Sequence, residues 1–397
     1  MYKGFEEALD AAVAQGRIAG AVVLVADRDG VTYQHAAGQR SVGAEPDMDQ
    51  DTVFWIASMT KAIGSVAALQ LVERGKLSLD DDLAPLLPDL AGLEVFDGLN
   101  ADGRPKLRPA RGAVTLRHLL THTSGFGYAW LHHEIGAWVS ATGGPGPSSG
   151  LRSAHRQPLM FDPGQGWAYG IGIDWVGIAV EAASGQRLDA YLAEHVFGPL
   201  GMADTAFRLS AEQATRRAGM HARGPDGAPV AIPFGLPDDP EVLSAGHGLY
   251  ATAPDYGRFL RMLLNGGALD GARILSAESM AELGRVQTGA RRAGALKSVD
   301  PTLSNDFDVY PGMQTGWGLA TMITPEASPD GRSAGSLAWG GLANTYYWAD
   351  RAAGKAGLIL TQLLPFADPE TLSLFAALER GAYGLASPGR RLSSASG

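Results

Sequence analysis

The feature that most constrains this fold is a pair of strand hairpins at opposite ends of the chain. Near the N-terminus, Gly20-Ala21-Val22-Val23-Leu24-Val25-Ala26 reads as a buried strand. Asp27-Arg28-Asp29-Gly30 is its turn and residues 31–37 the return strand. Near the C-terminus, residues 345–350 and 356–362 pair around Arg351-Ala352-Ala353-Gly354, with a further strand at 336–339. A two-stranded hairpin cannot bury enough surface to stand alone, so the two ends must share one antiparallel sheet. A helix precedes the first hairpin, with Phe5, Ala8, Leu9, Ala12 and Val13 on one face, and another follows the last, with Pro369 at N1 and Leu374, Ala377 and Leu378 inward. Between about residues 80 and 285 helical signals dominate, broken by Gly/Pro loops. One helix begins after Thr115, one spans 174–183 with Gly185 as its stop, and one spans 254–264. The expected fold is α/β. Residues 1–80 and 286–397 form a discontinuous antiparallel-sheet domain flanked by terminal helices, and residues 81–285 form a mostly helical inserted domain. A cleft between two such bodies is a normal place for a substrate. The Ser/Arg/Gly-rich tail after about residue 385 is expected to fray.

Composition narrows the function classes. With 397 residues, 45% of them hydrophobic, the chain can bury a large core. Its formal net charge is −10 with no basic run, which argues against a nucleic-acid partner. Cysteine is absent, so disulfides and thiolate metal sites are excluded. Met1-Tyr2-Lys3-Gly4 passes at once into the helical pattern without a secretory h-region, and the most apolar stretch, 19–26, is too short to span a bilayer. The expectation is a soluble cytoplasmic protein with no membrane partner.

Ser58-Met59-Thr60-Lys61 carries the clearest chemistry. A serine hydroxyl is a weak nucleophile until a base lies within hydrogen-bond reach. If the segment opens a helix, positions i and i+3 share a face and set the Lys61 amine beside Ser58. The flanks support this. Phe54-Trp55-Ile56 reads as a buried extended approach, Ile63, Val66, Ala67 and Gln70 follow at helical spacing, and Gly75 stands where a C′ glycine would stop the helix. In the first helical turn, free backbone N–H groups and the positive dipole end favour a developing oxyanion. A Ser-x-x-Lys match alone is expected about once by chance in a chain this long. An N-capped helix is the bland alternative.

Two further segments bear on the site. Tyr169 lies in the glycine-rich run Gly164-Gln165-Gly166-Trp167-Ala168-Tyr169-Gly170-Ile171-Gly172 before a helix, which suits a phenol relaying protons. A tyrosine packed in the core explains it equally. Trp339-Gly340-Gly341-Leu342 ends a strand, and paired glycines there let a backbone N–H approach a ligand closely. The alternative is a β-bulge or edge kink.

Together these elements resemble the serine β-lactamase and penicillin-recognising superfamily (class C β-lactamase-like), and most closely its esterase branch, the family VIII carboxylesterases. The resemblance runs through Phe54 to Lys61, Thr115-Leu116-Arg117-His118-Leu119-Leu120-Thr121-His122-Thr123-Ser124-Gly125, the Tyr169 segment to Asp174, Gly246-His247-Gly248-Leu249-Tyr250, Gly316-Trp317-Gly318 and Trp339-Gly340-Gly341. It implies a β-lactamase-like fold with Ser58 as acylated nucleophile, Lys61 as its base partner, and Tyr169 as second base. It also implies an oxyanion hole from the backbone N–H groups of Ser58 and Leu342, with Trp339, Gly340 and Gly341 lining the substrate site. Which of Lys61 and Tyr169 takes the first proton stays open, since the two should titrate as a coupled pair. No cofactor and no metal are called for, and the partner is a small-molecule ester.

Two departures from the lactamase pattern matter. The Tyr-x-Asn motif has Ile171 at its third position, and the Lys-Thr-Gly strand motif is here Trp339-Gly340-Gly341. Losing a charge-assisted contact to a lactam carboxylate typically costs about 1.5–3 kcal/mol. Phe126, Tyr128, Trp130, Trp167, Tyr346 and Trp348 add aromatic surface nearby. The expected activity is therefore a serine carboxylesterase. The alternatives are a β-lactamase or D-peptide hydrolase, or an acyltransferase using the same acyl-enzyme. A non-catalytic sensor or filament subunit is disfavoured by the joint presence of Ser58, Lys61 and Tyr169.

Several other features read as structural. Gly146-Pro147-Ser148-Ser149-Gly150 matches a nucleophile elbow but lies in a Gly/Pro loop without the preceding strand that motif needs. His118 and His122, at i and i+4, lack a third ligand and read as satisfied structural histidines. His132-His133 reads as solvated loop, and His247 as structural though able to approach the cleft. Asp174 reads as a helix-start cap, and Asp80-Asp81-Asp82 as a solvated helix start.

Overall fold

The structure, a computed structural model, describes residues 2–386. The tail beyond residue 386, where fraying is expected, lies outside the described residues. The two hairpins do share a sheet. Eight antiparallel strands run in the order 316–317, 322–324, 336–341, 345–350, 355–360, 20–27, 31–41 and 44–47. The seam between the chain's two ends is the pairing of Gly20–Asp27 with Lys355–Leu360, in which Val23 faces Ile359 and Leu24 faces Leu358. Both strands are buried along almost their whole length, which explains their continuous apolar runs. The terminal helices Lys3–Ala14 and Pro369–Ala382 pack on each other, and helix Ala253–Leu264 packs across the sheet's central strands. Gly257 makes that helix–sheet approach possible, because a Cβ there would lie 2.9 Å from Leu24.

Helix Thr60–Glu73 is buried on every side from Thr60 to Leu71, so it is a central pillar rather than an amphipathic surface helix. It packs against helix Gly172–Ser184. Gly75, at φ +66°, follows its end as expected. Helices Leu116–Leu120, Gly172–Ser184 and Ala253–Leu264 stand where the sequence pattern places them.

Between residues 80 and 285 the chain is less helical than expected. Glu94–Leu99 pairs with Pro105–Pro109, and Met220–Arg223 pairs with Pro229–Ile232 and, in parallel, with Leu363–Leu364. Residues 80–82 do not start a helix. Asp80 instead holds Arg117 at 2.6 and 2.7 Å, and Asp82 accepts from the backbone of Ala84. His132-His133 is not solvated loop either. His133 opens helix His133–Thr142, and half-buried His132 lies 3.1 Å from the Tyr169 carbonyl. No helix among the described residues is long and apolar enough to cross a membrane.

Candidate active site

The short strand Phe54–Trp55 pairs with Tyr250–Ala251, then the chain turns sharply. Ala57 takes φ +44°, a left-handed conformation that costs a residue with a side chain about 1–2 kcal/mol. That strain is held by packing. Ala57 is fully buried, and strand Ser336–Gly341 closes directly onto its turn. A Cβ on Gly341 would lie 2.3 Å from the Ile56 carbonyl oxygen, and one on Gly340 would lie 2.5 Å from the Tyr346 ring. Only glycine allows the strand this near. The turn Ala57–Met59 leaves Ser58 partly exposed at the head of the central helix, while Lys61, one turn on, is completely buried.

All three protons of the Lys61 ammonium have partners. Nζ donates to Ser58 Oγ at 2.9 Å, Tyr128 OH at 3.2 Å and the Gly246 carbonyl at 2.8 Å. Nζ also sits 4.7 Å from the centre of the Tyr169 ring. Burial pushes the Lys61 amine down to about 7, against the opposing pull of Asp174. Tyr169 is fully buried. Its phenol borders the same recess as Ser58, and its oxygen accepts a 2.8 Å bond from Trp339 Nε1. Burial raises the phenol above its ordinary value although Ser58 and Trp339 beside it oppose the shift. Ser58 and Lys61 thus meet Tyr169, far away in sequence, in one place.

The remaining expected residues fall into distinct places. Leu342 lines, with Ser58, a cavity of about 850 Å³ whose walls include Trp55, Tyr128, Trp130, Trp138 and Phe234. Trp339 and Gly340 border a smaller recess beside Ser58 and Tyr169. Gly341 packs behind the serine turn. Among the aromatics expected nearby, Phe126 stacks on Trp175, Trp167 packs on Trp317, and Tyr346 and Trp348 pack on Phe375 away from the cavity. Pro147 and Ser148 of the elbow-like loop form cavity wall, in a short 3-10 turn. His118 completes a capping box with Thr115, and fully buried His122 packs 4.6 Å from the Tyr169 ring. Among the described residues no group of three or more His, Asp or Glu side chains could hold a metal ion.

Asp174 corrects the capping expectation. It makes no cap bond, and its side chain crosses to the loop at Ser244–Gly246 instead. That loop runs between two helices because both present glycine to it. Cβ atoms on Gly64 and Gly177 would lie 3.0 and 2.9 Å from Ala245 Cβ. Tyr128 and Gly246, as partners of Lys61, had no periodic signal in the sequence to announce them. The glycine-flanked run at 246–248 was the one available hint.

A Beta-lactamase family model matches residues 5–380. Monacolin J acid methylbutanoyltransferase from Aspergillus terreus is 31% identical over 396 residues, covering 95% of this chain and 94% of that protein. Lovastatin esterase from Penicillium rubens is 32% identical, covering 88% of this chain and 90% of its own length. The solved structure of unliganded simvastatin synthase from Aspergillus terreus superposes with a TM-score of 0.81 at 30% identity, covering 96% of this chain and 97% of that one. The fold, the extent of the match and the coverage of its relatives agree: this chain belongs to the β-lactamase family.

Proposed function

We propose that this chain is a serine carboxylesterase, of the esterase branch of its family, that forms an acyl-enzyme on Ser58. The observation that carries the reading is the 2.9 Å bond between Lys61 Nζ and Ser58 Oγ, made by an amine that burial has brought down to about 7. At neutral pH a large share of such lysines is unprotonated and can accept the serine proton. Tyr169, raised by burial, keeps its proton and is better suited to donate than to accept first. The order follows. Ser58 Oγ attacks the ester carbonyl, its proton passes to Lys61, and the oxyanion is held by the backbone N–H groups of Ser58 and Leu342. Tyr169 protonates the departing alkoxide and recovers its proton from the Lys61 ammonium. In the second half, water or an alcohol enters, loses its proton to the same pair, and releases the acyl group from Ser58.

The cavity supports an ester with a bulky apolar part, since its named walls are mostly aromatic and aliphatic. The same volume supports a second reading, transfer of the acyl group to a bulky alcohol in place of water, as the names of the acyltransferase relatives suggest. A lactam substrate is the weaker choice, because Ile171 and Trp339 supply neither of the polar groups expected there. Hydrolysis of 4-nitrophenyl butyrate by the native chain and by Ser58→Ala tests the reading, with added alcohol measuring transfer. Equal rates in the two proteins would remove Ser58 from the mechanism.

A further inference from the structure

None of the three hydrogen bonds of Lys61 ends on a carboxylate, yet a buried carboxylate stands one residue away. Asp174, in the first turn of helix Gly172–Ser184, has no solvent exposure. Its Oδ1 accepts from Ser244 Oγ and, at 2.9 Å, from the backbone N–H of Gly246. The carbonyl of that same Gly246 accepts from Lys61 Nζ at 2.8 Å. Only glycine fits between them, because a Cβ there would lie 2.6 Å from Asp174 Oδ1. Ser244 Oγ also accepts from the His247 backbone N–H and lies 2.6 Å from His247 Nδ1, so the carboxylate and loop are fixed together.

The groups around Lys61 are Ser58, Tyr128, Tyr169, His122, His247 and Asp174. Burial pushes both phenols up and both histidines down, His247 to about 4, so these four are neutral at neutral pH. Burial also pushes the Asp174 carboxyl up, but the surrounding groups, Lys61 and the Ser244 bond among them, more than offset it, and it stays below its ordinary value. It is the one anion of the set. We infer that Asp174 is a positioning residue for Lys61, its buried charge acting through Gly246 as the counter-ion that the lysine otherwise lacks. This rests on Lys61 being the base of the proposed reaction, but its test need not.

Asp174→Asn separates charge from scaffolding. The amide oxygen still accepts from Gly246 and Ser244. Its new N–H₂ takes the place of Oδ2, which has no partner among the described residues and lies 3.9 Å from the Nε2 of His155, which has none there either. The loop is therefore held while the charge is gone. Lys61 is one of six lysines, so its side chain can be followed by NMR in lysine-labelled protein, with Lys61→Met identifying its signal. The native midpoint is expected near 7, and Asp174→Asn should lower it by about one unit. The acid limb of kcat/KM for 4-nitrophenyl butyrate should move down with it, which a loop staple alone would not cause. A midpoint unchanged in Asp174→Asn would overturn the inference. If that variant does not fold, Ser244→Ala decides, since it strips one donor from Oδ1 and keeps the charge. A midpoint within about 0.3 unit of native supports the carboxylate, and a shift of about a whole unit would assign the effect to the hydroxyl and refute it. The titration needs no turnover, so failure of the Ser58 reading would show separately, as activity retained in Ser58→Ala.

Discussion

The indole N–H of Trp339 donates a 2.8 Å hydrogen bond to the phenol oxygen of Tyr169. Both rings are buried, with centroids 5.0 Å apart, and Trp317 packs edge-on against Trp339 at 4.5 Å. The tryptophan thus does more than replace a polar residue with apolar surface. It fixes the phenol and opposes the effect of burial on it. Trp339→Phe keeps an aromatic ring in place and removes the donor. A lost bond to a buried oxygen costs about 1–2 kcal/mol, so kcat for 4-nitrophenyl butyrate should fall about tenfold with a smaller change in KM. Steady-state kinetics would show it, and an unchanged kcat would mean that this bond has no part in turnover.

The pH profile follows from the same site. Lys61 titrates at about 7, and only its neutral form can take the serine proton. Activity should therefore be low below pH 6, rise through a midpoint near 7, and level off. Tyr169 is raised above its ordinary value, so it keeps its proton and no alkaline fall should appear up to pH 9. A kcat/KM profile flat from pH 5 to 9 would contradict the role given to Lys61.

Gly341 is a packing glycine behind the serine turn. Replacing it with Ala sets a methyl 2.3 Å from the Ile56 carbonyl, a backbone atom that cannot rotate away. The strand or the Ala57 turn must shift, at a cost of about 1–3 kcal/mol. Gly341→Ala should lower Tm in calorimetry and reduce kcat, since Leu342 and Ser58 are displaced relative to each other. A variant with native Tm and native kcat would show that the close approach is not needed.

The cavity makes a prediction about size selectivity. Val139, on helix His133–Thr142, forms part of its wall. Val139→Trp fills part of the cavity that Ser58 also lines. The ratio of kcat/KM for a naphthyl-bearing ester to that for 4-nitrophenyl acetate should drop about tenfold, in line with the worth of a lost apolar contact of roughly 1–3 kcal/mol. If the ratio holds, bulky groups bind elsewhere.

Much of this was legible because the signals were local or periodic. Ser58 and Lys61 lie one helical turn apart, and the strands of the sheet's centre are continuous apolar runs. Tyr169 was placed by its order among family-like segments, not by any periodicity. Other parts were hidden for physical reasons. The pair Glu94–Leu99 and Pro105–Pro109 carries prolines at strand positions and lacks clean alternation, so it reads as loop. The Asp174–Gly246 bond joins residues 72 apart and depends on glycines on two helices, Gly177 on Asp174's own and Gly64 on Thr60–Glu73. A first-turn aspartate looks like a cap in any single sequence, and only the loop that comes to meet it shows otherwise.

The most direct test of the account is to locate the acyl group itself. The native chain is quenched in acid within milliseconds of mixing with 4-nitrophenyl butyrate, digested, and its peptides weighed by mass spectrometry. A butyryl group on the hydroxyl of Ser58, absent from the Ser58→Ala protein, is the predicted result. A butyryl group on another side chain, with turnover persisting in Ser58→Ala, would contradict it.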